Sequence, residues 1–387
     1  EPMLRFNWVA PLRMSPHDPK TLYAGAQVLF RSRDRGDHWE EISPDLTTND
    51  PAKISPVGAA IQFCTITTIS ESAAAPGIIW AGTDDGKVQV TRDAGQTWTD
   101  ATSAIAKAGG PEDAWVTRVF ASNLAAGTAY VAKSRLRQDD FRPFLYKTTD
   151  FGATWTSISG GLPARTINVI VEDNQNPDLL FAGNDNGVYV SIDGGKDWAA
   201  LRANMPTVPV QDLAIHPREG DLVVGTYGRG IWITNVAALR ELNDGVLSED
   251  VHFFQVQSRA RRIEGALGGY RLSGDRELAT PNELNAVAFV YYLKDEAKGK
   301  VAITVAKPDG AVIRTLEGTG KAGINRIVWN LAGFNMQLAP DDSGSRPAGA
   351  TVAVPPGEYI VTLQIGERKL TQKAVVRAAR NDEPGGD

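Results

Sequence analysis

Acidic pairs in short loops are the residues of this 387-residue chain best suited to chemistry. Asp84 and Asp85 precede a glycine, and Asp139 and Asp140 lie in the longer segment 134–143. Two carboxylates that flank a glycosidic bond can hydrolyse it, one as the acid and the other as base or nucleophile. Tight hairpin turns also favour Asp-Gly and Asn-Gly, which leaves a purely structural interpretation open. These four aspartates are therefore candidate catalytic residues. The turn interpretation is favoured for all four, and more so for Asp84 and Asp85 than for Asp139 and Asp140, whose loop is longer than a turn requires.

The segment 134–143 is longer than a hairpin turn requires, and it carries charged and aromatic side chains. Binding residues concentrate in loops that a rigid scaffold presents. The sequence therefore predicts a ligand-binding loop here, and an equivalent loop near residue 228 carries an aromatic residue and an arginine. The candidate binding residues are Arg135, Arg137, Asp139, Asp140, Phe141, Arg142, Tyr227 and Arg229.

The histidines and the cysteine do not indicate a metal centre or a disulfide. Four histidines are scattered without the spacing of metal ligands, and Cys64 is the only cysteine. No nucleophile–base constellation and no glycine loop that leads from a strand into a helix can be identified. We therefore expect neither a metal nor another cofactor.

Charge and hydropathy argue against nucleic acid as a partner and against a membrane-spanning segment. The net charge is −6 at pH 7, which gives no electrostatic reason to expect nucleic acid binding. The longest apolar runs are too short to span a bilayer, so we expect no membrane span. A protein, a peptide or a glycan is the expected ligand.

A repeated turn motif indicates the scaffold that positions these loops. The pattern Ser/Thr-x-Asp-x-Gly-x-x-Trp begins at Ser32, Thr91, Thr148 and Ser191. Its polar side chains can hydrogen-bond to the turn backbone, its glycine tolerates a positive φ, and its tryptophan offers a large apolar surface. We therefore expect a structural role for the motif residues Asp34, Trp39, Asp93, Trp98, Asp150, Trp155, Asp193 and Trp198.

Each repeat also contains an apolar strand, a turn and a strand that ends in a small residue, which makes about four short strands per unit. Four-stranded units that recur with a fixed motif are typical of β-propeller blades. About five blades lie between residues 5 and 239. A closed ring usually has more, so we expect further blades from an N-terminal part of the same protein, or a partner chain, to complete it. The motif joins the third strand to the fourth, which places the long loops on the opposite face.

The C-terminal part is expected to form a separate domain. Six or seven alternating apolar strands after residue 285 indicate a β-sandwich. The expected organisation is an all-β chain with propeller blades over residues 1–248 and a linker over 249–284. An immunoglobulin-like sandwich over 285–378 and a disordered tail over 379–387 complete it.

The motifs resemble a known family. The repeats look like the Asp-box repeats, or bacterial neuraminidase repeats, of sialidases, xyloglucan hydrolases and the propeller of sortilin. Almost the whole chain is similar to large exported bacterial sortilin-like repeat proteins, through the segments 15–19, 80–86 and 225–232. The C-terminal part is similar to the immunoglobulin-like module of flagellar hook-capping proteins, through 325–329 and 357–359.

The resemblance implies an exported or envelope-associated bacterial protein, located in the periplasm, at the cell surface or outside the cell. We expect it to bind its ligand on the propeller face opposite the repeat turns. One alternative is a glycoside hydrolase that uses the loop carboxylates, and another is a structural subunit of an envelope assembly. No residues match the arginine triad of sialidases, so the resemblance does not imply that activity.

Overall fold

The computed structural model describes residues 3–54, 62–202, 204–261, 285–331, 333 and 354–378. The described residues form an all-β structure that divides into two compact units, residues 1–240 and residues 241–387. Each unit is built from small sheets, and each has its own hydrophobic core.

The described residues of the first unit form five antiparallel sheets whose strands follow one another in sequence order. Sheet 1 consists of β1 (Leu12–Met14), β2 (Leu22–Gly25), β3 (Leu29–Ser32) and β4 (Glu40–Glu41). Sheet 2 consists of β5 (Ile66–Glu71), β6 (Ile79–Thr83), β7 (Val88–Thr91) and β8 (Thr99–Asp100). Sheet 3 consists of β9 (Trp115–Ala121), β10 (Ala129–Arg135), β11 (Asp140–Thr148) and β12 (Thr156–Ser157). Sheet 4 consists of β13 (Ile167–Glu172), β14 (Leu180–Asn184), β15 (Gly187–Ser191) and β16 (Ala199–Leu201), and sheet 5 of β17 (Val210–Ile215), β18 (Asp221–Thr226) and β19 (Ile231–Asn235).

The sheets pack face to face in chain order. The face that carries Ile69, and its register equivalents in the other sheets, is called the leading face; the opposite face, which carries Val88 and its equivalents, is the trailing face. Between sheets 3 and 4, for example, Tyr130 and Leu145 of one trailing face form a buried cluster with Ile170 of the next leading face. Four such clusters join the five sheets, which confirms the expected β-propeller blades.

Burial within a sheet follows from this packing. The second strands β6 and β14 are buried along their whole length, because neighbouring sheets cover both of their faces. The fourth strands are only two or three residues long and are largely exposed. In the four-stranded units the apolar second strand therefore lies towards the interior, and the short fourth strand lies at the surface.

The repeated turn has the same hydrogen bonds in all four copies. The Ser or Thr hydroxyl donates to the Asp carboxylate and accepts from the Gly N–H, and the same carboxylate accepts the N–H four residues further on. These bonds stabilise the ionised carboxylate, and they lower the pKa of Asp93 to about 2. The hydrogen bonds of the motif aspartates are thus all internal to the turns, which join the third strand to the fourth.

The motif tryptophans connect adjacent sheets. The indole Nε1 of Trp98 donates to the Ile42 carbonyl oxygen at 2.9 Å, and that of Trp198 donates to Ile158 at 2.8 Å. Trp155 packs edge-on against Trp80, with 5.8 Å between ring centroids. Each of these three side chains therefore reaches the preceding sheet.

The second unit is a two-layer sandwich. A three-stranded sheet has the order β20 (Val251–Phe253), β22 (Val287–Leu293) and β25 (Gly323–Trp329). A five-stranded sheet has the order β21 (Arg259–Ala260), β27 (Arg368–Arg377), β26 (Gly357–Ile365), β23 (Val301–Ala306) and β24 (Val312–Gly318). One core cluster contains residues of both sheets, with Trp329 fully buried against Phe289 and Tyr359.

One segment differs from the sequence-based expectation. The expected linker begins at 249, but β20 and β21 already belong to the two sheets of the second unit, because their backbone groups pair with β22 and β27. The remainder of that linker, 262–284, and the expected tail, 379–387, lie outside the described residues. Helix α1 (Thr102–Lys107) lies between β8 and β9 in the chain, and α2 (Asp244–Ser248) follows a short 3-10 helix, Ala237–Arg240.

Candidate functional site

A cleft opens between sheets 2 and 3, at the strand ends opposite the repeated turns. It lies where the β6–β7 and β10–β11 connections meet the segments that lead into β5 and β9, and its volume is about 200 Å³. The lining residues are Phe63, Asp84, Asp113, Trp115, Thr117, Ser134, Leu136, Arg137 and Gln138. The cleft therefore combines two aromatic rings, two carboxylates and a guanidinium group.

Aromatic and basic side chains pack together on one side of the cleft. Phe63 meets Trp115 edge-on, with 6.4 Å between ring centroids, and the Arg137 guanidinium lies 4.6 Å from the Trp115 ring centroid. Arg135 is 3.8 Å from the Asp113 carboxylate. A guanidinium over an indole is a cation–π pair, which holds both side chains in a defined orientation.

Asp84 is buried at the base of the cleft. Its carboxylate accepts hydrogen bonds from the Thr65 N–H at 2.9 Å, from the Thr65 hydroxyl at 2.6 Å and from the Asn7 amide at 2.9 Å. Burial raises its pKa to about 6 in spite of these donors. Asp84 is thus a carboxyl group with a raised pKa in the lining of the cleft.

Asp85 has a different environment, although it is the next residue. Its buried carboxylate accepts from the N–H and the hydroxyl of Thr48, and from the Thr83 hydroxyl. It ties the segment before β5 to the β6–β7 turn. Asp85 does not line the cleft, so its contacts are those of a residue that holds two loops together.

The long loop predicted from the sequence contributes to the cleft through its first half only. Residues 136–138 form a 3-10 turn that carries Arg137, and Asp139 ends the turn at a φ of 55°. Asp140 accepts two hydrogen bonds from the Arg142 guanidinium, at 2.9 and 2.7 Å, which lower its pKa to about 2. A carboxylate in that state cannot donate a proton as a general acid at neutral pH. Phe141 is exposed and lies outside the set that lines the cleft.

Tyr227 and Arg229 lie elsewhere. They belong to the β18–β19 hairpin of sheet 5, where glycines 228 and 230 take φ values of 80° and 74°. Both side chains are exposed, and neither lines the cleft between sheets 2 and 3. Of the predicted residues, Asp84 and Arg137 therefore line the cleft, and Arg135 lies beside it through its ion pair with Asp113. Tyr227 and Arg229 lie apart.

Four residues that line the cleft are neither candidate site residues nor part of the predicted loop 134–143: Phe63, Asp113, Trp115 and Thr117. A long connection before β9 marks their neighbourhood, but the residue types alone do not separate them from core or surface positions. The buried Lys133 helps to place this segment, because its ammonium group donates to the Pro111 carbonyl oxygen at 2.6 Å. Burial lowers the pKa of Lys133 to about 8.

Two classes of feature are absent from the described part of the chain. Within it, no three His, Cys, Asp or Glu side chains are grouped so that they could hold a metal ion. The helices described there are also too short and too polar to cross a membrane.

The titration of Asp84 should appear in the pH dependence of stability. Its pKa is raised from 3.8 to about 6 on folding, so the folded state binds the proton more tightly and this contribution is lost as pH rises from about 4 to above 6. The loss should be about 2–3 kcal/mol between pH 4 and pH 7, from the linkage between proton binding and folding. We expect urea denaturation of Asp84→Asn to show a correspondingly smaller difference between those two pH values than the wild type. Equal differences in the two proteins would contradict the assignment.

Comparison with known proteins yields distant structural matches. No family model matches the chain, and no curated protein does. A GH74 xyloglucanase from Xanthomonas campestris is 18% identical, with 93% of this chain and 57% of that chain covered and a TM-score of 0.42. An ancestral GH74 enzyme is 12% identical, with 97% and 47% covered and a TM-score of 0.43. YCF48 bound to D1 peptide is 13% identical, with 84% and 98% covered and a TM-score of 0.36. This chain spans about half the length of those GH74 enzymes.

Proposed function

We propose that this chain is a binding protein whose cleft between sheets 2 and 3 takes part of a glycan. The observation that carries the proposal is the composition of the cleft, in which Trp115 and Phe63 lie beside Asp84, Asp113 and Arg137. Ligand sites typically combine apolar walls with a few polar groups that fix the orientation of the ligand. This cleft has both.

The polar groups favour a glycan over a peptide. The Asp113 carboxylate and the Arg137 guanidinium each present two coplanar hydrogen-bonding positions, which match the adjacent hydroxyls of a sugar ring. Indole and phenyl rings offer flat apolar surfaces to the C–H face of the same ring. The cleft lies at the strand ends opposite the repeated turns, which supports the binding face expected from the sequence.

Replacement of Trp115 by alanine tests the proposal. Binding of a panel of neutral oligosaccharides and of an extended-peptide library would be measured by calorimetry. We expect an oligosaccharide to bind the wild type, and Trp115→Ala to weaken that binding by about tenfold or more, since aromatic anchors dominate such sites. Tyr227→Ala, in the distant hairpin, is the control and should bind as the wild type does. Binding of peptides alone, or equal binding by Trp115→Ala, would contradict the proposal.

Hydrolysis of the bound glycan is the second candidate function. It is favoured by the pKa of Asp84, about 6, and by a second carboxylate, Asp113, in the same cleft. The three donors that already occupy the Asp84 carboxylate favour binding instead, because a general acid must be free to reach the substrate. Release of reducing ends from the same oligosaccharides by the wild type, and its loss in Asp84→Asn, would decide for hydrolysis.

The second unit is proposed to be an immunoglobulin-like module that spaces or docks the propeller. Support comes from its strand order, with a short strand β21 that pairs in parallel with β27. The Tyr359 hydroxyl near the start of β26 donates to the Pro355 carbonyl oxygen at 2.6 Å, as in the tyrosine corner of that fold. Location in the bacterial envelope or outside the cell remains a proposal that rests on the sequence resemblance.

A further inference from the structure

In the part of the chain that the structure describes, the first and last sheets of the propeller each have one face without a neighbouring sheet. These are the leading face of sheet 1 and the trailing face of sheet 5. No buried cluster among the described residues joins these two faces, whereas a cluster joins every consecutive pair of sheets. Their residues can be compared, position by position, with those of the four packed interfaces.

The exposure of Leu12 shows that the leading face of sheet 1 has no packing partner among the described residues. It pairs with Ala24 in the same register in which Ile69 pairs with Ala81 in sheet 2. Leu12 is 62% exposed, whereas its four counterparts are at most 5% exposed. Those counterparts are Ile69, Val119, Ile170 and Leu213. Met14, two residues further on, is equally exposed.

The exposure of Ile231 shows that the trailing face of sheet 5 also has no packing partner in the described part of the chain. It pairs with Gly225, as Val88 pairs with Gly82 in sheet 2. Ile231 is 73% exposed, whereas its four counterparts are at most 2% exposed. Those counterparts are Leu29, Val88, Leu145 and Val188. Ile233 on the same face is also exposed.

Glycines in the second strands leave room for side chains of the next sheet, which approach their Cα atoms closely. A Cβ added at Gly82 would overlap Val116 of sheet 3, and one at Gly183 would lie 2.6 Å from Val210 of sheet 5. The nearest atoms to a Cβ at Gly225 would be those of Asp212 in its own sheet, at 3.6 Å or more. Sheet 5 therefore retains the small residue of an interface, but no atom of another sheet is among the nearest atoms to it.

Val9, which precedes sheet 1, is an apolar side chain of the type that packs against this glycine at the other interfaces. Val9 lies three residues before Leu12, as Ile66 lies three residues before Ile69. Ile66 and Val210 are fully buried against the glycine of the preceding sheet, while Val9 is exposed.

The two free faces also carry polar side chains that, within the described residues, lack the contacts made by their counterparts between packed sheets. Between packed sheets, a side chain at the start of one first strand donates to a carbonyl of the next: Thr67 to Val116 at 2.8 Å and Thr117 to Ile167 at 2.7 Å. Gln211 occupies this place in sheet 5 and is exposed. Trp39, the counterpart of Trp98, is likewise exposed on sheet 1.

We propose that the trailing face of sheet 5 binds the leading face of sheet 1 of a second copy of this chain, head to tail. Each face presents what the other lacks: an apolar leucine and valine on one side, and a glycine recess with isoleucines and an amide donor on the other. The same interface occurs four times within the chain, so the second copy continues an existing packing. The contact joins two different surfaces, so it is heterologous, and each copy in such a pair retains one free face.

Two blocked variants test the proposal. Leu12→Glu blocks the leading face and Ile231→Glu blocks the trailing face, both at exposed positions. We expect sedimentation of the wild type to show a molar mass that rises with concentration above the 41.6 kDa of one chain. Each variant alone should associate about 100-fold more weakly, since a buried charge opposes an apolar contact. An equimolar mixture should form a species of twice the chain mass and no larger, because only one pair of faces remains intact.

Matched controls distinguish this arrangement from others. Gly225→Val blocks the recess without adding charge and should behave as Ile231→Glu does. Leu124→Glu, at an exposed apolar position in a turn of sheet 3, should associate as the wild type does. A monomeric wild type would overturn the proposal, and so would blocked variants that fold, as judged by circular dichroism, but fail to pair with each other. Self-association of one blocked variant alone would show a like-with-like contact and would also overturn it.

Discussion

Replacement of Arg240 by leucine is expected to destabilise the first unit by about 3 kcal/mol, because it would leave a buried carboxylate without its partner cation. The Arg240 guanidinium donates to both oxygens of Asp173, at 2.9 and 3.0 Å, and to the Asn174 side chain at 3.0 Å. The Asp173 side chain is completely buried. This ion pair attaches the end of the propeller chain to the turn after β13, so its loss should also loosen sheet 5.

Urea denaturation followed by tryptophan fluorescence would measure this effect. The signal reports mainly on the first unit, because Trp329 is the only one of the nine tryptophans in the second. The control is Arg218→Leu, whose guanidinium is exposed and pairs with Glu219 at 2.8 Å. Surface ion pairs contribute about 0–1 kcal/mol, so the control should change little. Equal effects of the two substitutions would show that burial of Asp173 is not the source of the stability.

Replacement of Gly82 by alanine is the second large expected effect. The added methyl group would overlap Val116 and lie 2.9 Å from Thr68, and both neighbours have β-branched side chains with little freedom to move. Overpacking of a closed interface costs about 1–3 kcal/mol. We expect Gly82→Ala to lower the free energy of unfolding by about 2 kcal/mol, since the alanine recovers part of the cost by restricting the unfolded chain.

The matched control is Gly225→Ala, at the same register position of sheet 5. The nearest atoms to the new methyl group would be those of Asp212, at ordinary van der Waals distances. We expect the free energy of unfolding to stay within about 0.5 kcal/mol of the wild type, in dilute protein where copies are separate. A large loss of stability in this variant would mean that the recess at Gly225 is already filled.

The turns and the strands could be predicted from the sequence because their interactions are local. Asp93, for example, is bonded within a few residues, to Thr91 and Thr97, so its role can be inferred from spacing alone. The alternation of apolar and polar residues in the C-terminal strands similarly indicates a sandwich with Trp329 inside it. The start of the second unit was placed too late, because two very short strands give too little pattern to recognise.

The candidate site could be predicted only in part. Its face follows from the order of strands and turns, and Asp84 and Arg137 lie where a loop-based argument placed them. The Asp140 carboxylate forms an ion pair with the neighbouring Arg142, which disfavours the catalytic role considered for it. Phe63 and Trp115 are brought together from segments about fifty residues apart, and no local pattern encodes that meeting.

The sequence by itself determined that this protein is made of repeated four-stranded units with internally bonded turns, because hydrogen bonds and side-chain alternation over a few residues specify such units. Only the tertiary structure decided which of the repeated positions are covered. Leu12 and Ile69, or Gly225 and Gly82, are equivalent in the repeat, and they differ in the sheet that lies next to them. Burial is a property of neighbours distant in the chain, and the cleft and the two free faces therefore became visible only in the folded molecule.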